Sequence, residues 1–320
     1  MKKLCIVLLI LLCSCSNKET EQETIKYKVE QFPLPQIQVE ENDSIEYGIV
    51  QGDELFLNVL HEENDNYTTK KLYSYNFVND TLEEVQLDFD KESSRIISFN
   101  NDYYVRVFDL EQPMLSYEIV DRIDNELLFS GTTDDSIYSV PRINQFDTTL
   151  AMIVEKESMF YFLVEPSHQD KVELYNLDQP RYLNVYRYHD DIYMYESKEN
   201  CINKITYIDN SLKEQKICSD HNEQIIPVMN KYLIVNKEGK YFYEDQEIDI
   251  QLPEIHDFCI LDEGTLILSK GEVYFLTLEN DQFIVTKLDG VTEGISFRGI
   301  NGNSALVIGN DPIYKVSINN

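Results

Sequence analysis

From about residue 24 onward, apolar side chains either alternate with polar ones or gather in runs of four to eight. Asn, Asp, Gly, Lys or Glu bound these runs, which is the signature of strands, and no segment shows the spacing of an amphipathic helix. One motif recurs: an apolar run, a Lys-centred polar turn and a Tyr/Phe-rich run. It appears as "IVEKESMFYF" from Ile153, "MYESKENCIN" from Met194, "IVNKEGKYFY" from Ile234 and "LILSKGEVYF" from Leu266. In Asn236-Lys237-Glu238-Gly239, Asn suits the first position of a type I turn and Gly the left-handed residue after it. In Ser197-Lys198-Glu199-Asn200, Asn can take the left-handed role. The lysines are explained as solvated turn residues.

A second hairpin follows each of the first, as in "YSYNFVNDTLEEVQL", "KITYIDNSLKEQKI" and "VYFLTLENDQFIVTKL". Folding the last about Asn280-Asp281 sets Leu278 against Phe283 and Leu276 against Val285, an apolar register. Two hairpins make a unit of four strands. The units run from about Ser44 to Glu92, Ser93 to Asp135, Ser136 to about Asp178, Gln179 to Asn222, Glu223 to Glu254 and Ile255 to Gly290. A last one, from Val291, has only three strands, "GISFRGI", "SALVIG" and "PIYKVSI". The missing fourth is available in "TIKYKVEQFPLPQIQV", residues 24–39.

Four-stranded repeats of this length predict an all-β fold, a β-propeller. Seven four-stranded blades are expected, with an N-terminal strand joining the last blade so that the ring leaves no unpaired edge. Six blades is the alternative, because "LSYEIVDRIDNELLF" divides in more than one way.

Composition supports a large core. Of 320 residues 42% are hydrophobic, and the 22 Tyr and 15 Phe, with no Trp, suit half-buried pleated surfaces. Charge narrows the partners. Lys2 and Lys3 are the only charged residues of 1–14, so the remainder carries 25 basic against 58 acidic side chains, a net −33. Such a field repels nucleic acid and anionic headgroups and favours cations or basic partners. It also keeps a protein soluble without any partner.

The chain opens "MKKLCIVLLILLCSCSNKETEQET": two lysines, then an apolar stretch from Leu4 to Leu12 too short to span a bilayer comfortably. A simple secretory peptide accounts for this much. Leu12-Cys13-Ser14-Cys15 further resembles a bacterial lipobox, and the resemblance implies cleavage after Ser14 and acylation of Cys15. Several acyl chains on one residue would anchor the chain stably. Residues 1–14 are then a leader, 15–23 a lipidated cysteine with a polar tether, and 24–320 a single propeller domain. Ser16-Asn17-Lys18-Glu19-Thr20-Glu21 is similar to the signal after the lipidated cysteine in surface lipoproteins of Bacteroidota. That implies an outer-membrane address, facing either the cell surface or the periplasm. With the blade pattern, the chain resembles the lipid-anchored β-propeller lipoproteins of that group.

Candidate chemistry is sparse. Cys201 and Cys218 flank the Asp209-Asn210 turn symmetrically, one step from an Ile202–Ile217 pair. They are expected to face each other, as a cross-strand disulfide or as two small buried thiols. Cys259 reads as a core residue. The five histidines, His61, His168, His189, His221 and His256, lack metal-ligand spacing, and no calcium loop, Walker loop or nucleophile elbow occurs. No metal, cofactor or catalytic residue is expected from motif. Only seven arginines exist, and Arg95, Arg142, Arg181, Arg187 and Arg298 fall in first strands of units, which line the channel of a propeller. Arg95, Arg142, Arg181 and Arg298 are candidate ligands for a carboxylate-bearing molecule. The competing reading pairs them with neighbouring acids.

Two function classes follow. One is a non-catalytic binding or scaffold lipoprotein that takes a protein, peptide or glycan ligand. The other is an extracytoplasmic enzyme, a hydrolase or lyase, acting on a glycan or peptide at the channel mouth. A sensor or inhibitory partner of a neighbouring membrane protein is a third reading.

Overall fold

The computed structural model describes residues 26–319 apart from 64–65, 88–93, 109–114, 134–149, 157–158, 166–172, 178–183, 189–190, 199–200, 209–210, 219–223, 237 and 244–245. The described residues form strands joined by turns and loops. In chain order the first strand, β1 (Lys26–Phe32), belongs to the last sheet. The first sheet orders β2 (Asp43–Gln51), β3 (Glu54–Glu63), β4 (Asn66–Asn76) and β5 (Thr81–Val85). The second orders β6 (Arg95–Phe99), β7 (Tyr103–Phe108), β8 (Leu115–Asp121) and β9 (Leu127–Thr133). The third has three described strands, β10 (Leu150–Lys156), β11 (Met159–Glu165) and β12 (Glu173–Leu177).

The fourth sheet orders β13 (Asn184–Tyr188), β14 (Asp191–Lys198), β15 (Cys201–Ile208) and β16 (Ser211–Cys218). The fifth orders β17 (Gln224–Val228), β18 (Lys231–Val235), β19 (Tyr241–Tyr243) and β20 (Gln246–Ile248). The sixth orders β21 (Asp257–Leu261), β22 (Gly264–Ser269), β23 (Glu272–Glu279) and β24 (Gln282–Leu288). In the seventh, β25 (Gly294–Asn301), β26 (Ser304–Gly309) and β27 (Ile313–Asn319) are followed by β1 at the edge.

Every pairing is antiparallel, and turn chemistry sets the registers. Asn280 and Asp281 both take positive φ, 49° and 60°, the mirror-image turn whose twist matches its flanking strands. Leu278 stands opposite Phe283 and Leu276 opposite Val285. At the turn after β18, the Asn236 side chain accepts from the N–H groups of Glu238 and Lys240, both at 2.9 Å, and Gly239 takes φ 76°. β1 runs against β27 from Lys26–Asn319 to Phe32–Ile313.

The core is a series of sheet–sheet interfaces. Leu55, Tyr75 and Phe77 of the first sheet pack on Leu306, Ile308 and Ile313 of the seventh, with Phe32 at the margin. Phe56 and Leu72 pack on Ile96, Phe99 and Tyr104 of the second. Tyr27 and Val29 of β1 lie against the cluster that joins the sixth and seventh sheets. Among the described second strands β3, β22 and β26 are covered on both faces, which is why "LFLNVL" reads as a run instead of an alternation: all six of its residues are buried.

Candidate functional site

The first strands of neighbouring sheets touch one another: β2 meets β25 on one side and β6 on the other, and β21 meets β25. Two of the candidate arginines stand here, and both reach β2. Arg95, on β6, points an Nη2 at Glu46 Oε2, 3.2 Å away, and its guanidinium lies 5.5 Å from the Tyr67 ring centroid. Its side chain is 12% exposed. Arg298, on β25, donates from Nε to the Gly48 carbonyl at 2.8 Å and from Nη2 to the Tyr47 carbonyl at 3.0 Å. A β-bulge between Tyr47 and Val50 interrupts the β2–β3 ladder at that point. A planar guanidinium can donate to two such carbonyls at once. Glycine is required at 48, because a Cβ there would stand 2.9 Å from the Phe56 carbonyl oxygen.

Of the four arginine candidates, then, the described pair ties flanking sheets to β2. Arg95 meets the Glu46 carboxylate, and Arg298 binds backbone carbonyls, which the sequence did not suggest. Arg142 and Arg181 lie outside the described residues, as does Cys15. For Arg187 only the backbone, in β13, is described.

A second polar group sits where the chain enters the first sheet. The Asp43 carboxylate, 3% exposed, meets His61 Nδ1 at 2.9 Å and Lys70 Nζ at 2.9 Å. Lys70 also bonds Glu40 Oε2 at 2.7 Å, and the Glu40 N–H donates to Asp43. Lys70 is the extra residue of a bulge in β4 between Thr69 and Lys71. Burial alone would raise the Asp43 pKa. The hydrogen bonds from His61, Lys70 and the Glu40 backbone outweigh it and hold the carboxyl down at about 2. Lys70 is raised by its bonds to Glu40 and Asp43. An ionised carboxylate can only accept, so His61 donates Nδ1–H to it from a ring that is 36% exposed. Sequence reading gave His61 no role, because its partner lies eighteen residues away on another strand.

This arrangement has a measurable acid limb. The folded-state pKa lies below the ordinary 3.8, so Asp43 contributes stability that is present above about pH 4 and lost as pH falls toward 2. Asp43→Asn is expected to cost about 1–2 kcal/mol at pH 7 and to flatten the loss between pH 4 and 2, read from urea unfolding midpoints. Equal acid limbs in the two proteins would contradict the assignment.

Cys201 and Cys218 are directly opposite across β15 and β16, next to the Ile202–Ile217 pair. Cys259 packs against the sixth-sheet core, where burial, reinforced by the Asp257 charge, pushes its thiol up to about 12. Among the described residues no group of three or more His, Cys, Asp or Glu is arranged to hold a metal, and no helix is long and apolar enough to cross a membrane.

No protein-family model matches the chain, and no curated protein sequence does. Solved structures do match. The β-propeller domain of the trilobed protease from Pyrococcus furiosus, with its open velcro topology, is 10% identical and covers 86% of this chain and 95% of its own, at a TM-score of 0.49. A prolyl endopeptidase is 10% identical at a TM-score of 0.50, covering 87% of this chain, which spans half of that protein. A chain of the mitotic checkpoint complex is 7% identical at 0.51, covering 96% and 97%. At such identities the likeness concerns the fold alone. The chain is all-β with several four-stranded antiparallel sheets and has β-propeller domains among its structural neighbours. Arg95 and Arg298 lie on the first strands of the second and seventh sheets.

Proposed function

We propose that this chain is a lipid-anchored propeller of seven blades that holds an extracytoplasmic protein, peptide or glycan ligand without transforming it. In this reading residues 1–14 are removed, Cys15 carries acyl chains, and residues 15–23 tether the body to the outer membrane, on its cell-surface or periplasmic side. The ring closes where β1 supplies the fourth strand of the last blade, beside β27. The observation that carries the binding reading is the use of the first-strand arginines. Arg95 and Arg298 bind the neighbouring sheet instead of framing a reaction centre, which leaves ligand contact to the loops between strands. One structural neighbour is a chain of a multi-protein complex, the mitotic checkpoint complex, which supports a protein ligand by analogy of fold only.

One observation favours the second reading, an extracytoplasmic hydrolase or lyase acting on a glycan or peptide. The Asp43–His61 pair fixes an imidazole through its Nδ1 on a ring that is 36% exposed, and an oriented histidine is the commonest general acid or base. Turnover that disappears in His61→Gln while ligand capture persists would favour it.

The test of the anchor is metabolic labelling with a palmitate analogue, followed by membrane fractionation. The full chain is expected to carry label and sediment with membranes. Cys15→Ser is expected to lose the label and more than nine-tenths of the membrane-bound fraction, since a single apolar leader does not replace multi-chain anchoring. An unlabelled wild-type chain, or equal sedimentation of both proteins, would overturn this reading.

A further inference from the structure

The fourth sheet carries two cysteines whose relation is fixed by register. Cys201 opens β15 and Cys218 closes β16, and the two are direct partners at the end of the ladder remote from the Ile208–Ser211 turn. β16 is an edge strand, and among the described residues it pairs with β15 alone. Cys218 is also the last strand residue before the chain passes to β17 at Gln224.

Opposite residues of an antiparallel ladder alternate between hydrogen-bonded pairs and closer, non-hydrogen-bonded ones. Two counts show which kind this pair is. Two residues separate Ile208 from its partner Ser211, and the pair that closes a two-residue loop is hydrogen-bonded. Cys201 lies seven residues from Ile208, an odd number, so its pair with Cys218 is of the other kind. On the opposite side, Lys198 and Cys201 also close a two-residue loop, which turns the Cys201 N–H and C=O toward β14 and away from β16. The two counts agree. The distinction decides what the sulfurs can do. Opposite Cβ atoms are about 4.5 Å apart in the closer pairs and about 5.5 Å in the wider ones. A disulfide needs roughly 3.5–4.5 Å between them, so only the closer kind brings two cysteines within reach.

We propose that Cys201 and Cys218 form a cross-strand disulfide that latches the edge strand of the fourth sheet where the chain leaves it. The bond forms by exchange with an oxidant of the disulfide class. One cysteine thiolate attacks a sulfur of the oxidant and releases one thiol; the second attacks the mixed disulfide and releases the other. The oxidant is reduced to two thiols, which take up the two cysteine protons. Cys259 is a poor competitor, because burial and the Asp257 charge hold its thiol up at about 12. The geometry is independent of the lipid anchor. That the bond forms in the cell rests on the extracytoplasmic address.

The full chain, purified reduced and then equilibrated with oxidised and reduced glutathione, provides the test by peptide mapping without reduction. A linked 201–218 peptide is expected to exceed glutathione adducts at either cysteine by about tenfold, since register makes the second step intramolecular. Moving one thiol a single residue, as Cys218→Ser with Ile217→Cys, puts it on the other face of the sheet. That variant is expected to take glutathione instead of the link; should it not fold, the wild-type map alone decides. In the oxidised chain the amides of β16 are expected to exchange with solvent about tenfold more slowly than in the reduced one, with β22 unchanged. Adducts without the link, a link from either cysteine to Cys259, or equal exchange in β16 would overturn the proposal. A chain whose thiols are blocked at cell lysis is expected to show the same link. Free thiols there, with the link formed in vitro, would count against the address and leave the bond standing.

Discussion

A chain that begins at residue 34 is expected not to reach the cooperatively folded state reached by a chain that begins at residue 16. The difference between them contains β1. That strand pairs along its whole length with β27, and without it β27 presents a row of unpaired backbone groups to solvent. The loss extends to side chains. Val29 and Tyr27 leave the cluster of the sixth and seventh sheets, and the Tyr27 hydroxyl no longer accepts from the Asp289 N–H at 2.9 Å. Phe32 leaves its edge contact with Phe77, at 5.2 Å between ring centroids, and the Pro33 carbonyl no longer accepts from the Tyr75 hydroxyl. Partial burial of three such side chains, together with the lost backbone and hydroxyl bonds, is worth about 5 kcal/mol, a large part of the stability of an ordinary domain. Thermal unfolding followed by circular dichroism is expected to show either no cooperative transition or a midpoint lowered by more than about 5 °C. Matching midpoints would mean that β1 is an ornament on a body complete without it.

Arg298→Leu is the second large effect. The substitution keeps apolar volume and removes the guanidinium donors to the Tyr47 and Gly48 carbonyls, which lie at the bulge. Leaving two part-buried carbonyls without donors is expected to cost about 2–4 kcal/mol. Arg298→Lys should recover less than half of that, because a single ammonium cannot span both oxygens in the plane that the guanidinium does. The measurement is urea unfolding, with a lowered midpoint and an unchanged slope expected. A loss under about 0.5 kcal/mol for the leucine variant would show that the clamp is incidental.

Much of the fold was legible in the sequence, because strand alternation and turn chemistry are local. The Asn280-Asp281 turn, the Leu278–Phe283 register and the opposition of Cys201 and Cys218 all follow from residues close in sequence. Even the stretch from Leu115 to Phe129, which divided ambiguously, resolves locally: it is the single β8–β9 hairpin. Asp121 accepts from the Ile123 and Asp124 N–H groups at 2.7 and 3.0 Å, and Asn125 takes φ 54°. The candidate sites were much less legible. Arg298 finds its acceptors about 250 residues away, at a bulge that no spacing announces. Asp43 finds His61 and Lys70 on two other strands. Asn58, an amide inside an apolar run, donates to the Ile96 carbonyl of the second sheet, 38 residues away.

The account rests on the first described strand and the last one sharing a sheet. Spin labels at Lys28 and Ser317, direct partners in that pairing, test it most directly by dipolar distance measurement. Partnered Cα atoms lie about 5 Å apart, so with label linkers included the expected result is a narrow distribution within roughly 20 Å. A distribution centred beyond about 35 Å, well over the radius of about 25 Å expected of a folded body of this length, would contradict it.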